Sequence, residues 1–129
     1  MPQSDSPVAL VVEGDDATRH FASAVLEETD LNVIACKDAG AAMTVLARPG
    51  VNVALLFSDM GQSGTMDGAA LARTVAKRWP SARMVMTSGP NRGGKAGLPA
   101  QAVYMQKPWR PLDVLVQAEH ATVEAEKAA

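Results

Sequence analysis

Short apolar runs alternating with longer amphipathic ones predict an α/β fold, a doubly wound sheet of five parallel strands in a (βα)5 arrangement. The alternation repeats five times along 129 residues. The run Val53-Ala54-Leu55-Leu56-Phe57 is apolar on both faces, as a strand inside a parallel sheet must be. Polar residues gather where the runs stop, at Glu13, Asp59, Thr87-Ser88 and Lys107-Pro108, and such sheets bind ligands beyond the carboxyl ends of their strands.

The N-terminal segment 1–7 is expected to be disordered, and the domain proper covers 8–123. The first strand is predicted over Val8 to Val12. A helix follows from an Asp16 cap, running through Phe21, Ala24, Val25 and Leu26 with apolar residues three and four apart, and ends near Glu28. The second strand takes Asn32 to Cys36. The second helix takes Ala39 to Ala47 and stops at Arg48-Pro49-Gly50, where proline cannot continue it and glycine can reverse the chain. The third strand, Val51 to Phe57, leads through Asp59 into the turn Met60 to Gly68. The third helix begins at Asp67 or Gly68, spaces Leu71, Val75 and Trp79 by four, and stops before Pro80.

The fourth strand covers Ala82 to Thr87. The helix after it should be short, irregular or mobile, because Pro90-Asn91-Arg92-Gly93-Gly94-Lys95-Ala96-Gly97-Leu98-Pro99 mixes glycines and prolines. Each interior glycine costs a helix about 1 kcal/mol and each proline about 3 kcal/mol. The fifth strand, Ala102 to Gln106, precedes a helix that opens at Pro111 and carries Leu112, Leu115 and Val116, with a fraying tail over 124–129.

An apolar fraction of 47% and a formal charge of -2 describe a mildly acidic globule without the basic excess of a nucleic-acid surface. The single cysteine, Cys36, lies in an apolar run and reads as a buried thiol. No export leader and no membrane-length apolar stretch is apparent, so a cytoplasmic location is expected. His20 and His120 are isolated and receive no role, while Met84, Met86 and Met105 read as core.

Two carboxylates, a hydroxyl and an ammonium at one sheet edge suit phosphoryl transfer. The acids can hold a divalent cation, one acid can be the nucleophile, and Thr87 and Lys107 can neutralise phosphoryl oxygens. Taken singly, the same residues read as a turn or cap aspartate, a loop acid, a strand-end threonine and a surface lysine. A distant alternative is nucleotide binding by Gly89 to Ala96, which comes after a strand like a P-loop. It has Ala96 where the magnesium-binding Ser or Thr belongs.

With Leu10-Val11-Val12-Glu13, Ser58-Asp59, Gly64, Met66-Asp67-Gly68, Met86-Thr87-Ser88-Gly89 and Lys107-Pro108-Trp109 in this order, the chain resembles the receiver domain of bacterial two-component response regulators, the CheY-like superfamily, from Val8 to about Val123. The resemblance implies a flavodoxin-like strand order 2-1-3-4-5 and a phosphorylation-dependent signalling switch, not an enzyme beyond promoting its own phosphorylation and dephosphorylation. It makes Asp59 the phosphoacceptor, with Thr87 and Lys107 assisting, and Thr87 and Tyr104 the switch. Mg2+ would be held by Glu13, Asp59 and the main-chain carbonyl of Gly61, and the Lys107-Pro108 bond would be cis. Implied partners are a histidine kinase or histidine phosphotransfer protein and a downstream protein, with a homodimer formed through the face of the fourth helix, fifth strand and fifth helix. Trp109, beside the site on that face, is an expected fluorescence reporter.

Gly14 departs from the pattern, standing where the family carries a second metal-site acid. Losing that carboxylate should weaken Mg2+ binding about tenfold or more. Asp15 could reach the cation through water. The departure raises an alternative function, a receiver-like protein-interaction module with impaired Mg2+ binding that works without phosphorylation.

Overall fold

The computed structural model describes residues 7–61, 67–89 and 97–128. In chain order these form β1 (Pro7–Val12), α1 (Asp16–Leu26), β2 (Asn32–Cys36), α2 (Ala39–Leu46), β3 (Asn52–Asp59), α3 (Gly68–Arg78), β4 (Arg83–Ser88), β5 (Ala102–Gln106) and α4 (Pro111–Ala128). All strand pairs are parallel and the order is β2-β1-β3-β4-β5, as expected from the sequence.

The central strands are buried on both faces, which is why they are apolar without alternation. Leu10, Val12, Leu56, Met84 and Met86 pack with α2 and α3 on one side. Val11, Leu55, Phe57 and Val85 pack with Ala22, Val25 and Leu26 of α1 and with Val114, Ala118 and Ala121 of α4 on the other. An irregularity between Val8 and Ala9 in the pairing with β3 sets the parity of the rest of that strand pair, so that the odd-numbered residues Leu55 and Phe57 share the α1 and α4 side with Ala9 and Val11.

Several boundaries differ from the sequence expectation. Asp15, not Asp16, caps α1. Asp15 has extended backbone and its Oδ2 accepts from the Thr18 amide at 2.9 Å, whereas Asp16 lies inside the first turn and pairs with Arg19 at 2.6 Å. Strand β3 continues to Asp59 and β4 to Ser88, since the backbone ladder runs on into the polar residues. Helix α4 continues as helix through 124–128, where Ala125 packs against the same layer as Ala121. The expected fourth helix falls mostly outside the described residues, as do residues 90–96 of the P-loop-like Gly89 to Ala96 motif, Gly64, Met66, and residues 1–6. Residues 97–101 run as turns and bends, with Gly97 at φ 80° and its carbonyl accepting from Arg73 Nη1 at 2.8 Å.

Cys36 is buried, and burial raises its thiol above the ordinary range. Among the described residues no helix is long and apolar enough to cross a membrane.

Candidate functional site

Register brings the four strand ends together. Val12 pairs with Ser58, so Glu13 comes beside Asp59. Asp59 pairs with Thr87, and Thr87 with Met105, two residues before Lys107. All four functional positions are odd-numbered and continue the row of Val11, Phe57, Val85 and Met105, so they sit on the α1 and α4 side of one sheet edge. The backbone holds this edge past the strands: Glu13 N–H donates to Cys36 O (3.0 Å), Met60 N–H to Thr87 O (2.7 Å) and Lys107 N–H to Ser88 O (2.8 Å). The Lys107-Pro108 peptide that carries the lysine is cis.

The Lys107 ammonium lies 2.9 Å from Glu13 Oε1 and 3.0 Å from Asp59 Oδ1. Glu13 Oε2 accepts from the Asp15 amide at 2.9 Å, and Asp59 Oδ2 from the Gly61 amide at 3.1 Å. Glu13 is 3% exposed, while the Asp59 and Lys107 side chains keep 14% and 28% of their surface open. Burial alone would lower the lysine's pKa. The hydrogen bonds to Glu13 and Asp59 outweigh it and hold the ammonium above its ordinary value. Arg19 Nη1 donates to Glu13 O at 2.9 Å and so fixes the acid's backbone from α1.

A divalent cation does not fit this arrangement as it stands. Among the described residues two acids converge, each of their four oxygens already faces an ammonium or amide of this chain, and residue 14 is glycine. Asp15 faces its own helix. Its Oδ2 also takes the Thr18 hydroxyl at 2.6 Å, and this bond with the Thr18 amide holds the carboxyl below its ordinary range. Among the described residues no three His, Cys, Asp or Glu form a metal-binding group.

No protein-family model matches the chain, and no curated protein does. Solved structures are similar to it. The signal receiver domain of an HD domain-containing protein from Pseudomonas fluorescens Pf-5 matches with TM-score 0.78 and 21% identity, over 95% of this chain and 98% of its own. A response regulator receiver protein from Sinorhizobium medicae WSM419 matches with TM-score 0.83 and 16% identity, over 94% and 98%. The receiver domain of NtrX from Brucella abortus matches with TM-score 0.74 and 24% identity, over 88% and 96%. The chain has the receiver fold.

On this receiver fold Thr87 is fully buried, and its hydroxyl has no hydrogen-bond partner among the described residues. A buried, unmade hydrogen bond costs about 1–3 kcal/mol, so a ligand oxygen beside Asp59 has a donor waiting for it. Tyr104 does not join the acid cluster. As an even-numbered residue opposite Met86 it lies on the α2 and α3 side, and its hydroxyl is 2.6 Å from Ser88 Oγ. Ser88 Oγ also reaches Gly89 O at 3.3 Å, which is consistent with the phenol donating to the serine and the serine donating onward.

Sequence reasoning gave Ser88 no role. The parity shared by 88 and 104 was visible, but which strand-end residue meets the phenol depends on strand register. Ser88→Ala is expected to destabilise the fold by about 1 kcal/mol. The chain holds one tyrosine, so NMR ring resonances report the loosened phenol directly. An unchanged urea midpoint together with an unchanged ring environment would show the bond to be idle.

Trp109 packs toward α1, not onto the face where the sequence reading put it. It stacks on Phe21 (5.2 Å between centroids, 12° between planes) and meets the edge of Phe57 at 5.2 Å. A pocket of about 530 Å³ between Ala17, Thr18, Phe21, Lys107, Pro108 and Trp109 adjoins the acid cluster. A larger cavity of about 730 Å³ lies by Pro7, Asn52 and Ser81, at the opposite strand ends and away from this chemistry.

Proposed function

We propose that the chain is a phosphorylation-dependent signalling switch of a two-component system. In this reading Asp59 accepts a phosphoryl group from the phosphohistidine of a histidine kinase or histidine phosphotransfer protein. The observation that carries the proposal is the placement of Asp59. Its carboxylate is partly open at the C-terminal end of the central strand of a receiver fold, beside Lys107 and next to a buried hydroxyl without a partner among the described residues.

A carboxylate oxygen of Asp59 attacks phosphorus, the P–N bond of the donor breaks, and its electron pair stays on the imidazole nitrogen. Lys107, already 3.0 Å from Asp59, turns to a phosphoryl oxygen, and the Thr87 hydroxyl donates to another. The chain is thus a phosphoacceptor, promoting only its own phosphorylation and dephosphorylation. The signal would pass from Thr87 across the sheet to Tyr104 and leave through β5, the 90–99 segment and α4 to a downstream protein or a second copy of the chain. No nucleic acid or membrane partner enters, and the location is cytoplasmic.

Gly14 supports a second reading, a protein-interaction module on the same fold that works without phosphorylation. Intact-mass measurement after incubation with acetyl phosphate, with and without Mg2+, separates the two. The switch predicts one phosphoryl increment that disappears in Asp59→Asn. No increment from acetyl phosphate or from any phosphorylated histidine donor would leave the interaction module standing.

A further inference from the structure

The acid pair is neutralised from within the chain. One ammonium lies within 3.0 Å of an oxygen on each acid, and main-chain amides take the other two oxygens. A divalent ion drawn to both acids would compete with Lys107 for their charge. It would gain no third carboxylate from the described residues in return, because residue 14 is glycine and Asp15 is bound to Thr18. Glu13 is almost fully buried, so the pair cannot stand open without a counter-charge.

We propose that Lys107 is the resident cation of this site, filling the charge role a divalent ion plays in a three-acid cradle, so that the acid cluster is assembled and stable without metal. The inference concerns how Glu13 and Asp59 are held, and it stands whether or not Asp59 is phosphorylated. Lys107 brings a single charge on a covalent stem, which makes it a permanent occupant where a dissociable ion would be regulated by its concentration.

Glycine at 14 is what permits this balance, and the position has room for more. Among the described residues a Cβ there would meet only the Lys37 carbonyl, at an ordinary contact of 3.6 Å. A carboxylate at 14 would bring the cluster from two acids to three and tip it toward a dication.

The test is a cation titration of the whole chain, read by Mg2+-dependent thermal unfolding and by Mn2+ broadening of the Trp109 indole resonance, since Trp109 shares a pocket with Lys107. Wild type is expected to show no saturable Mg2+ shift into the millimolar range. Gly14→Asp is expected to bind Mn2+ about tenfold more tightly or better. Lys107→Gln should melt lower in EDTA and recover when Mg2+ is added, because the metal then takes the vacated charge role.

A wild-type melting temperature that rises saturably with Mg2+ in the millimolar range and loses that rise in Asp59→Asn overturns the proposal. If Lys107→Gln does not fold, the comparison of wild type with Gly14→Asp decides alone. Neither readout needs phosphate, so a chain that never accepts a phosphoryl group still gives the answer.

Discussion

Gly68→Ala is expected to destabilise the protein by about 2–3 kcal/mol and to disturb the Asp59 edge with it. A Cβ at this position would stand 2.6 Å from Asp59 O and 2.8 Å from Met60 Cα. Both are backbone atoms, with no rotamer into which to retreat. Either α3 draws back at its first residue or the end of β3 moves. Retreat of α3 strains the cap in which Asp67 Oδ1 accepts from Ala70 N–H at 2.8 Å, and movement of β3 strains the 2.7 Å bond from Met60 to Thr87 and the 3.1 Å bond from Gly61 to Asp59. Helix propensity pulls the other way, since alanine is favoured over glycine inside a helix by about 1 kcal/mol. A loss despite that bias isolates the steric effect. Gly14→Ala is the control: its Cβ meets an ordinary contact, so the change should be neutral or stabilising by up to about 1 kcal/mol. Urea midpoints at constant m-value read both variants, and a Gly68→Ala chain as stable as wild type would sink the argument.

Much of the architecture was legible because continuous apolar runs mark strands buried on both faces and apolar residues four apart mark inward helix faces. Val53 to Phe57 could only be an interior strand, and Leu71 and Val75 could only line an inward helix face. The ends were less legible. Ser58, Asp59 and Ser88 belong to strands through backbone pairing, which polar side chains do not advertise. Asp15 and Asp16 are chemically equal candidates for a cap, and backbone geometry at Asp15 decides between them. Glu13, Asp59, Thr87 and Lys107 were each visible as strand-end residues. That one ammonium spans both acids, and that Tyr104 meets Ser88 across the sheet from Thr87, comes from register between strands distant in sequence. The tightness behind Gly68 is likewise a tertiary fact, since nothing near it in the chain distinguishes it from a helix N-terminal glycine chosen for its flexibility.

Phe57→Ala is expected to carry the largest stability cost of any single change near the site, about 3–5 kcal/mol. The ring is fully buried at the centre of the layer between the sheet and helices α1 and α4, two residues before Asp59 on the same strand face. It also supplies the surface on which Trp109 stands edge-on, an aromatic contact worth about 0.5–1.5 kcal/mol beyond the area it buries. Removing the ring leaves a cavity that Val11, Val85 and the α4 alanines are too short to fill. Of its two ring contacts Trp109 would then keep the one to Phe21, which is 50% exposed. Water would reach the indole, so its emission should shift to the red even in chains that remain folded. Phe57→Leu keeps most of the volume and should cost clearly less than the alanine change, while still losing the edge contact. The pair of variants therefore separates cavity from aromatic geometry. Equal losses in Ala and Leu would mean that the ring's orientation against Trp109 matters more than its bulk, and a small loss in both would mean that α1 and α4 close over the gap.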